Sequence, residues 1–235
     1  MGAVTAVAHR GDPVAARENT LPAFAAAAAA GADWVELDLR RTRDGAIVVL
    51  HDQTLERLWG LDASVGDLEA EEVTALGQGD ERVPTLGQLL AAVELPLMVD
   101  FTRLEVVEGA LAAVQTAGAM ARAQFVTGNV PALQLLRGLS GRARIGLTWT
   151  EGTEPPLGLL AELGAECWNP WSGLVTAEGV AAVHAAGLLV SCWTVDDEAE
   201  MARVVGAGVD AVVSNRIGRL LRFLGRGIGA GHKTS

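Results

Sequence analysis

One short link constrains this chain more than any other feature. The β-rich runs Trp34–Arg40 and Ile47–His51 are separated only by Arg41-Thr42-Arg43-Asp44-Gly45-Ala46. Parallel neighbours need a crossover of a dozen or more residues, so these two runs must pair antiparallel. Asp44-Gly45 is a dipeptide that closes a two-residue hairpin. Elsewhere, strand-like runs alternate with helical stretches. The other strand candidates are Val4–His9, Leu97–Thr102, Gln124–Thr127, Arg144–Trp149, Glu166–Asn169, Leu188–Thr194 and Val209–Ser214. The helical stretches are Leu21–Ala30, Leu86–Val93, Glu105–Ala117, Pro131–Leu139, Pro156–Leu163, Ala177–Ala186, Glu198–Gly206 and Arg216–Leu224. Setting aside the antiparallel return strand leaves eight β-then-α units, the count of an α/β (β/α)8 TIM barrel with an extra antiparallel hairpin strand after the second barrel strand. A doubly wound open sheet is the competing architecture. No Gly-rich phosphate loop follows the first strand, which weakens a dinucleotide-binding version of it.

The chain has 235 residues, half of them apolar. That fills one large core, read as a single domain over residues 1–225, with 53–82 as a small cap segment and 226–235 as a flexible C-terminal tail. A net charge of −11 lacks the cationic footprint of a nucleic-acid binder. Cys167 and Cys192 allow at most one bridge and read as reduced, buried thiols of a cytoplasmic protein. The N-terminal run has no basic residue before its apolar stretch and reads as a first strand, not a signal peptide. The longest apolar stretch, Leu21 to Ala32, is too short and Ala-rich to cross a bilayer, so no stable membrane insertion is expected.

The hairpin carries a geometric expectation. With Asp44-Gly45 as the turn, Arg43 faces Ala46 and Asp38 faces His51, on one side of the sheet at about 5 Å. Glu36, two residues before Asp38, projects to that side too. His9 ends the neighbouring first strand, and Asp100 lies near the end of Leu97–Thr102, at the rim where a barrel carries its active site. Crowded carboxylates repel unless protonated or neutralised by a cation. Glu36, Asp38 and Asp100, with no thiol among them, favour an oxygen-loving Mg²⁺ or Ca²⁺ over zinc, with Mn²⁺ as a further candidate. His9 and His51 suit proton transfer, with metal ligation as the alternative. Taken alone, Glu36 and Asp38 read as surface partners of Arg40, Arg41 or Arg43; His9-Arg10-Gly11, Glu18-Asn19-Thr20 and His51-Asp52 nearby tip the reading to a site.

The motifs together resemble the glycerophosphodiester phosphodiesterase family over Val4 to Arg216. His9-Arg10-Gly11 resembles its opening His-Arg-Gly, and Arg17-Glu18-Asn19-Thr20 its Pro-Glu-Asn-Thr. The central signature is matched by Val35-Glu36-Leu37-Asp38-Leu39, Thr42-Arg43-Asp44-Gly45 and Val49-Leu50-His51-Asp52. Val83-Pro84-Thr85-Leu86, Cys192-Trp193-Thr194-Val195 and Gly208-Val209-Asp210-Ala211-Val212-Val213-Ser214-Asn215 extend the match. The resemblance implies a barrel hydrolase using a divalent cation to cleave a small-molecule glycerophosphodiester into sn-glycerol 3-phosphate and an alcohol. It implies Glu36, Asp38 and Asp100 as metal ligands, His9 and His51 as the general acid/base pair, and Arg10 as a phosphate clamp. Glu18 and Asn19 are implied to contact the glycerol or support those that do. Attack by water and attack by a glycerol hydroxyl both fit these residues.

The chain departs from the family where Glu-x-Lys is usual and Asp100-Phe101-Thr102 stands. The acid is one methylene shorter and the Lys is absent. Asn215 replaces a common Asp and is expected to matter less. A catalytically inactive barrel serving as a binding or interaction module is therefore the rival reading. Trp149, Trp168, Trp171 and Trp193 lie at or beyond late strands. Some of them are expected to line the pocket and stack on substrate, Trp193 first, with plain packing as the alternative. Arg216, Arg219, Arg222, Arg226 and Lys233, with Leu220, Leu221, Phe223 and Leu224, read as the last barrel helix and its C-terminal extension, or as a weak peripheral contact with anionic lipid.

Overall fold

The computed structural model describes residues 3–152 and 154–227. Eight parallel strands close on themselves: β1 (Thr5–His9), β2 (Trp34–Arg41), β4 (Leu97–Asp100), β5 (Ala123–Thr127), β6 (Arg144–Trp149), β7 (Cys167–Pro170), β8 (Leu189–Cys192) and β9 (Ala211–Ser214). β9 pairs with β1 to complete the ring, and β3 (Ile47–Val49) lies outside it, antiparallel to the end of β2. The helices returning each strand to the next are α1 (Leu21–Ala30), α2 (Leu86–Ala92), α3 (Val107–Thr116), α4 (Val130–Leu139), α5 (Leu157–Leu163), α6 (Ala177–Ala185), α7 (Glu198–Ala207) and α8 (Ile217–Phe223). This is the TIM barrel with its additional hairpin strand.

Strand periodicity divides the side chains between two apolar layers. Leu37, Leu97, Val99, Phe125 and Ile145 face outward against the helices, while Val7, Met98, Val126 and Val213 fill the barrel interior below its mouth. α8 spends Leu220 and Leu221 on the outer layer, both at most 1% exposed, so its apolar face belongs to the barrel. Arg226 closes the bottom by binding Asp33 and the Val4 carbonyl; the tail beyond residue 227 lies outside the described residues. Cys167 and Cys192 are buried and free. Among the described residues, no helix is long and apolar enough to cross a membrane.

Between β3 and α2, the chain forms a small lobe of two short hairpins and short helical turns. The lobe has a core of its own, in which Leu55, Val65, Val73 and Val83 pack on Val48 and Leu50. Trp59 belongs to that lobe, where the Arg17 guanidinium lies 4.5 Å from the centre of one of its rings.

The hairpin differs from its expected form by one residue. Leu39 pairs with Val49 and Arg41 with Ile47. Thr42 donates its N–H to Ala46 at 3.0 Å across a three-residue loop in which Gly45 has φ +90°. The left-handed glycine ends the turn instead of occupying its centre. Asp38 therefore faces Leu50, whose N–H it accepts at 2.9 Å, and not His51. Continued in that register, His51 would stand opposite Leu37 on the outward face. The strand instead breaks after Val49, and the departing chain turns His51 back toward the mouth.

Candidate active site

The site begins with register. In the parallel ladder His9 is level with Glu36, and one step higher Asp38 is level with Asp100. Level partners on adjacent strands project to the same side, so four ionisable groups converge at the C-terminal mouth. They line a cavity of about 200 Å³ with Arg10 and His51; Thr102, Thr148, Asn169 and Trp193 complete its walls. A larger groove of about 820 Å³ between α1 and the end of α2 holds none of these residues.

After His9 the chain must reverse sharply. Arg10 takes φ +59° and Gly11 φ +83°, both left-handed. A Cβ on Gly11 would stand 2.6 Å from the Ala23 carbonyl carbon, so only glycine fits against the start of α1. The turn aims the Arg10 N–H at Glu36 Oε2, 3.0 Å away. Its guanidinium lies 3.1 Å from Asp38 Oδ2 and donates to Glu18 Oε1 at 2.8 Å.

Glu36, Asp38 and Asp100 each bring one oxygen within 4.8 Å of the others. Glu36 is 4% and Asp38 6% exposed. Burial, then repulsion from Asp38 and Asp100, pushes Glu36 well above the ordinary carboxylate range. Burial and Asp38 likewise raise Asp100 to about 7. These carboxylates exceed the positive charge the protein supplies them, and their donors are all oxygen. The set fits a hard divalent cation.

The two histidines are held alike, from opposite sides. His9 Nδ1 is 2.7 Å from Asn215 Oδ1, and Asn215 Nδ2 donates to Asp196 Oδ2 at 2.8 Å. That chain makes Nδ1 the protonated nitrogen and leaves Nε2 free, 3.8 Å from Glu36 Oε2. Burial, then Arg10, lowers the His9 pKa from 6.5, so the imidazole rests neutral. His51 Nδ1 is 2.6 Å from Asp52 Oδ1, which leaves its Nε2 free as well. Arg57, from the small lobe, binds Asp52 Oδ2 at 2.5 Å and Glu18 Oε1 at 2.7 Å. Its hydrogen bond is the foremost reason the Asp52 carboxyl falls to about 2.

Of the residues singled out in the sequence, His9, His51, Arg10, Glu36, Asp38, Asp100 and Trp193 meet at this cavity. Glu18 lies beside it, neutralised by Arg10 and Arg57. Asn19 is 1% exposed and does not line the cavity; it donates to Asp38 Oδ2 at 2.8 Å and fixes that carboxylate from behind. Trp193 alone of the late tryptophans lines the wall, donating to the Asn169 carbonyl at 3.0 Å. Trp168 is fully buried in the outer core, Trp171 is 51% exposed, and Trp149 packs on the outer core.

Sequence reasoning passed over Asp196 and Arg57 and gave Asn215 and Arg40 lesser roles than their contacts indicate. Asn215, read as minor, orients His9 directly. Arg40 follows Glu36 and Asp38 in the same inward alternation, a signal that was available. It donates to the His51 carbonyl and reaches Thr102 Oγ1 at 3.4 Å, bridging the His51 segment to the exit of β4. Arg103, which follows the missing Lys position, turns away to Glu105 at 3.3 Å.

The model of the glycerophosphoryl diester phosphodiesterase family matches residues 9–219. The glycerophosphodiester phosphodiesterase of Caldanaerobacter subterraneus subsp. tengcongensis is 29% identical over 94% of this chain and 98% of its own. Glycerophosphodiester phosphodiesterase GDPD4 of Arabidopsis thaliana is 30% identical over 88% of this chain and 69% of its own. A phosphodiesterase of Oleispira antarctica, solved with the product sn-glycerol-3-phosphate, superposes with a TM-score of 0.88 over 94% of this chain and 96% of that one. At 22% identity this likeness concerns the fold. A barrel with this mouth, matched by the family model along nearly its whole length, places the chain in the glycerophosphoryl diester phosphodiesterase family.

Proposed function

We propose that the protein hydrolyses glycerophosphodiesters to sn-glycerol 3-phosphate and an alcohol, with His9 and His51 as its general acid/base pair. The observation that carries this is two imidazoles, each fixed through Nδ1 and free at Nε2, on one cavity with a carboxylate triad. One imidazole takes the proton of the attacking oxygen and the other protonates the departing alkoxide. Neutral at rest, His9 is suited to the first task; His51, oriented through Nδ1 by Asp52 with Nε2 free, is left the second.

Arg10 faces the phosphoryl group with a guanidinium already oriented by Glu18 and Asp38, so little reorganisation accompanies the growth of negative charge. Glu36, Asp38 and Asp100 would hold Mg²⁺ or Ca²⁺, which supplies Lewis-acid neutralisation of a phosphoryl oxygen. Trp193 offers an apolar face to the glycerol carbons. The test is release of glycerol 3-phosphate from glycerophosphocholine with Mg²⁺, Ca²⁺ or Mn²⁺ and with EDTA, beside His9→Ala. Turnover that needs a divalent cation and His9 supports the reading. A folded protein that binds glycerol 3-phosphate but turns over nothing with any metal is a binding module instead.

A further inference from the structure

A second cavity shares two walls with the first. It measures about 510 Å³, opens to solvent over the ends of β1 and β9, and is lined in part by the same His9 and Arg10. The inner cavity, about 200 Å³, falls below the roughly 300–1,000 Å³ of pockets that enclose a drug-sized ligand, so it takes one arm of a diester and not both. A phosphoryl group at His9 and Arg10 therefore has its second ester arm at the entrance of the outer cavity.

The lining of that outer cavity carries two guanidinium groups, Arg10 and Arg216, and two carboxylates, Glu18 and Asp196, and they are not equally engaged. Glu18 is occupied by Arg10 at 2.8 Å and Arg57 at 2.7 Å. Asp196 accepts from Ser214 Oγ at 3.0 Å, the Asn215 N–H at 2.8 Å and Asn215 Nδ2 at 2.8 Å, which fills both oxygens. Arg10 is divided between Glu18 and Asp38. Arg216 is left on the outer wall, exposed and without an ion pair among the described residues. Arg219, three residues on, adds a second cation by donating to the Asp196 carbonyl at 3.1 Å.

Resting on the hydrolase reading above, we infer that the outer cavity is the subsite for the alcohol arm and that Arg216 selects glycerophosphodiesters whose alcohol carries a further phosphate. The probes are glycerophosphoinositol and glycerophosphoinositol 4-phosphate, which differ by one phosphate on the alcohol. With the intact protein, kcat/KM is expected to be about fivefold higher for the phosphorylated member, the scale of one partly exposed ion pair. That ratio should fall as salt screens the rim. It should approach one in Arg216→Gln and drop below one in Arg216→Glu. If either variant fails to fold, the wild-type ratio and its salt dependence decide. Equal kcat/KM for the pair in the wild type, or a preference unchanged by Arg216→Gln, overturns the subsite assignment and leaves hydrolysis standing. Absence of turnover of both probes and of glycerophosphocholine overturns the hydrolase reading and the subsite with it.

Discussion

Replacing Asp100 by Asn should stabilise the metal-free protein and weaken its response to metal. Asp100 titrates near 3.8 when free and near 7 in the fold. Between those values the folded protein keeps a proton that the unfolded chain has released, so stability falls as pH rises through this window. At about 1.4 kcal/mol per pH unit, the displacement is worth about 4 kcal/mol above pH 7. Asp100 shares this repulsion with Asp38 and Glu36, and the side chain keeps some exposure, so about 2–4 kcal/mol is the range expected. Urea unfolding in EDTA should therefore show Asp100→Asn more stable than wild type by that amount near pH 8, with the gap closing toward pH 4. Saturating Mg²⁺ or Ca²⁺ should narrow the gap. A ligand at about a hundred times its Kd adds about 2.7 kcal/mol to a competent site, and Asn is the poorer ligand. A variant no more stable than wild type at pH 8 without metal, or a metal gain equal in the two proteins, would refute the account of the triad as a charge cluster awaiting a cation.

Other outcomes rest on the same geometry. His9→Ala and His51→Ala should each lower kcat by about 10²–10⁴ while leaving the urea midpoint close to wild type, as read in parallel turnover and unfolding series. Asn215→Asp should move the acid limb of the kcat/KM profile to higher pH, because a carboxylate favours the His9 imidazolium where the amide does not; an unmoved limb would detach Asn215 from His9. Arg40→Ala should lower kcat more than it raises KM, since it frees the His51 segment without removing a cavity wall; rapid-quench kinetics separates the two. Gly11→Ala should cost at least about 2 kcal/mol in chemical unfolding, because both its left-handed backbone and the Ala23 carbonyl oppose a Cβ.

The barrel was legible because its signals are local and repeated. Each strand-helix unit announces itself in its own residues, and the Arg41–Ala46 link admits no crossover helix. The carboxylates were legible because Glu36 and Asp38 sit two apart on one strand. Register was not, because Asp44-Gly45 serves a two-residue and a three-residue turn equally well, and the choice depends on how Thr42 and Ala46 meet. His51 still arrived at the mouth, for a different reason: the strand ends early. The groups that orient the imidazoles were illegible for a more general cause. Asn215 lies 206 residues from His9, and Arg57 joins Asp52 to Glu18 across two separate turns. No spacing in the sequence reports such pairings. They exist only once the ring has closed.

Closure also apportions labour around the rim. Imidazoles, carboxylates and the guanidinium beside them all come from the arc running from β9 through β1 and β2 to β4, with the hairpin behind it. The opposite arc, β5 to β8, offers Val126, Thr148, Asn169 and Trp193, none of them ionisable at neutral pH. The loop after β8 carries Asp196, which holds Asn215 against His9, whereas the loops after β5, β6 and β7 are free to be lengthened, exchanged or reshaped without disturbing a single proton donor. A breeder of new substrate preferences would do well to start there.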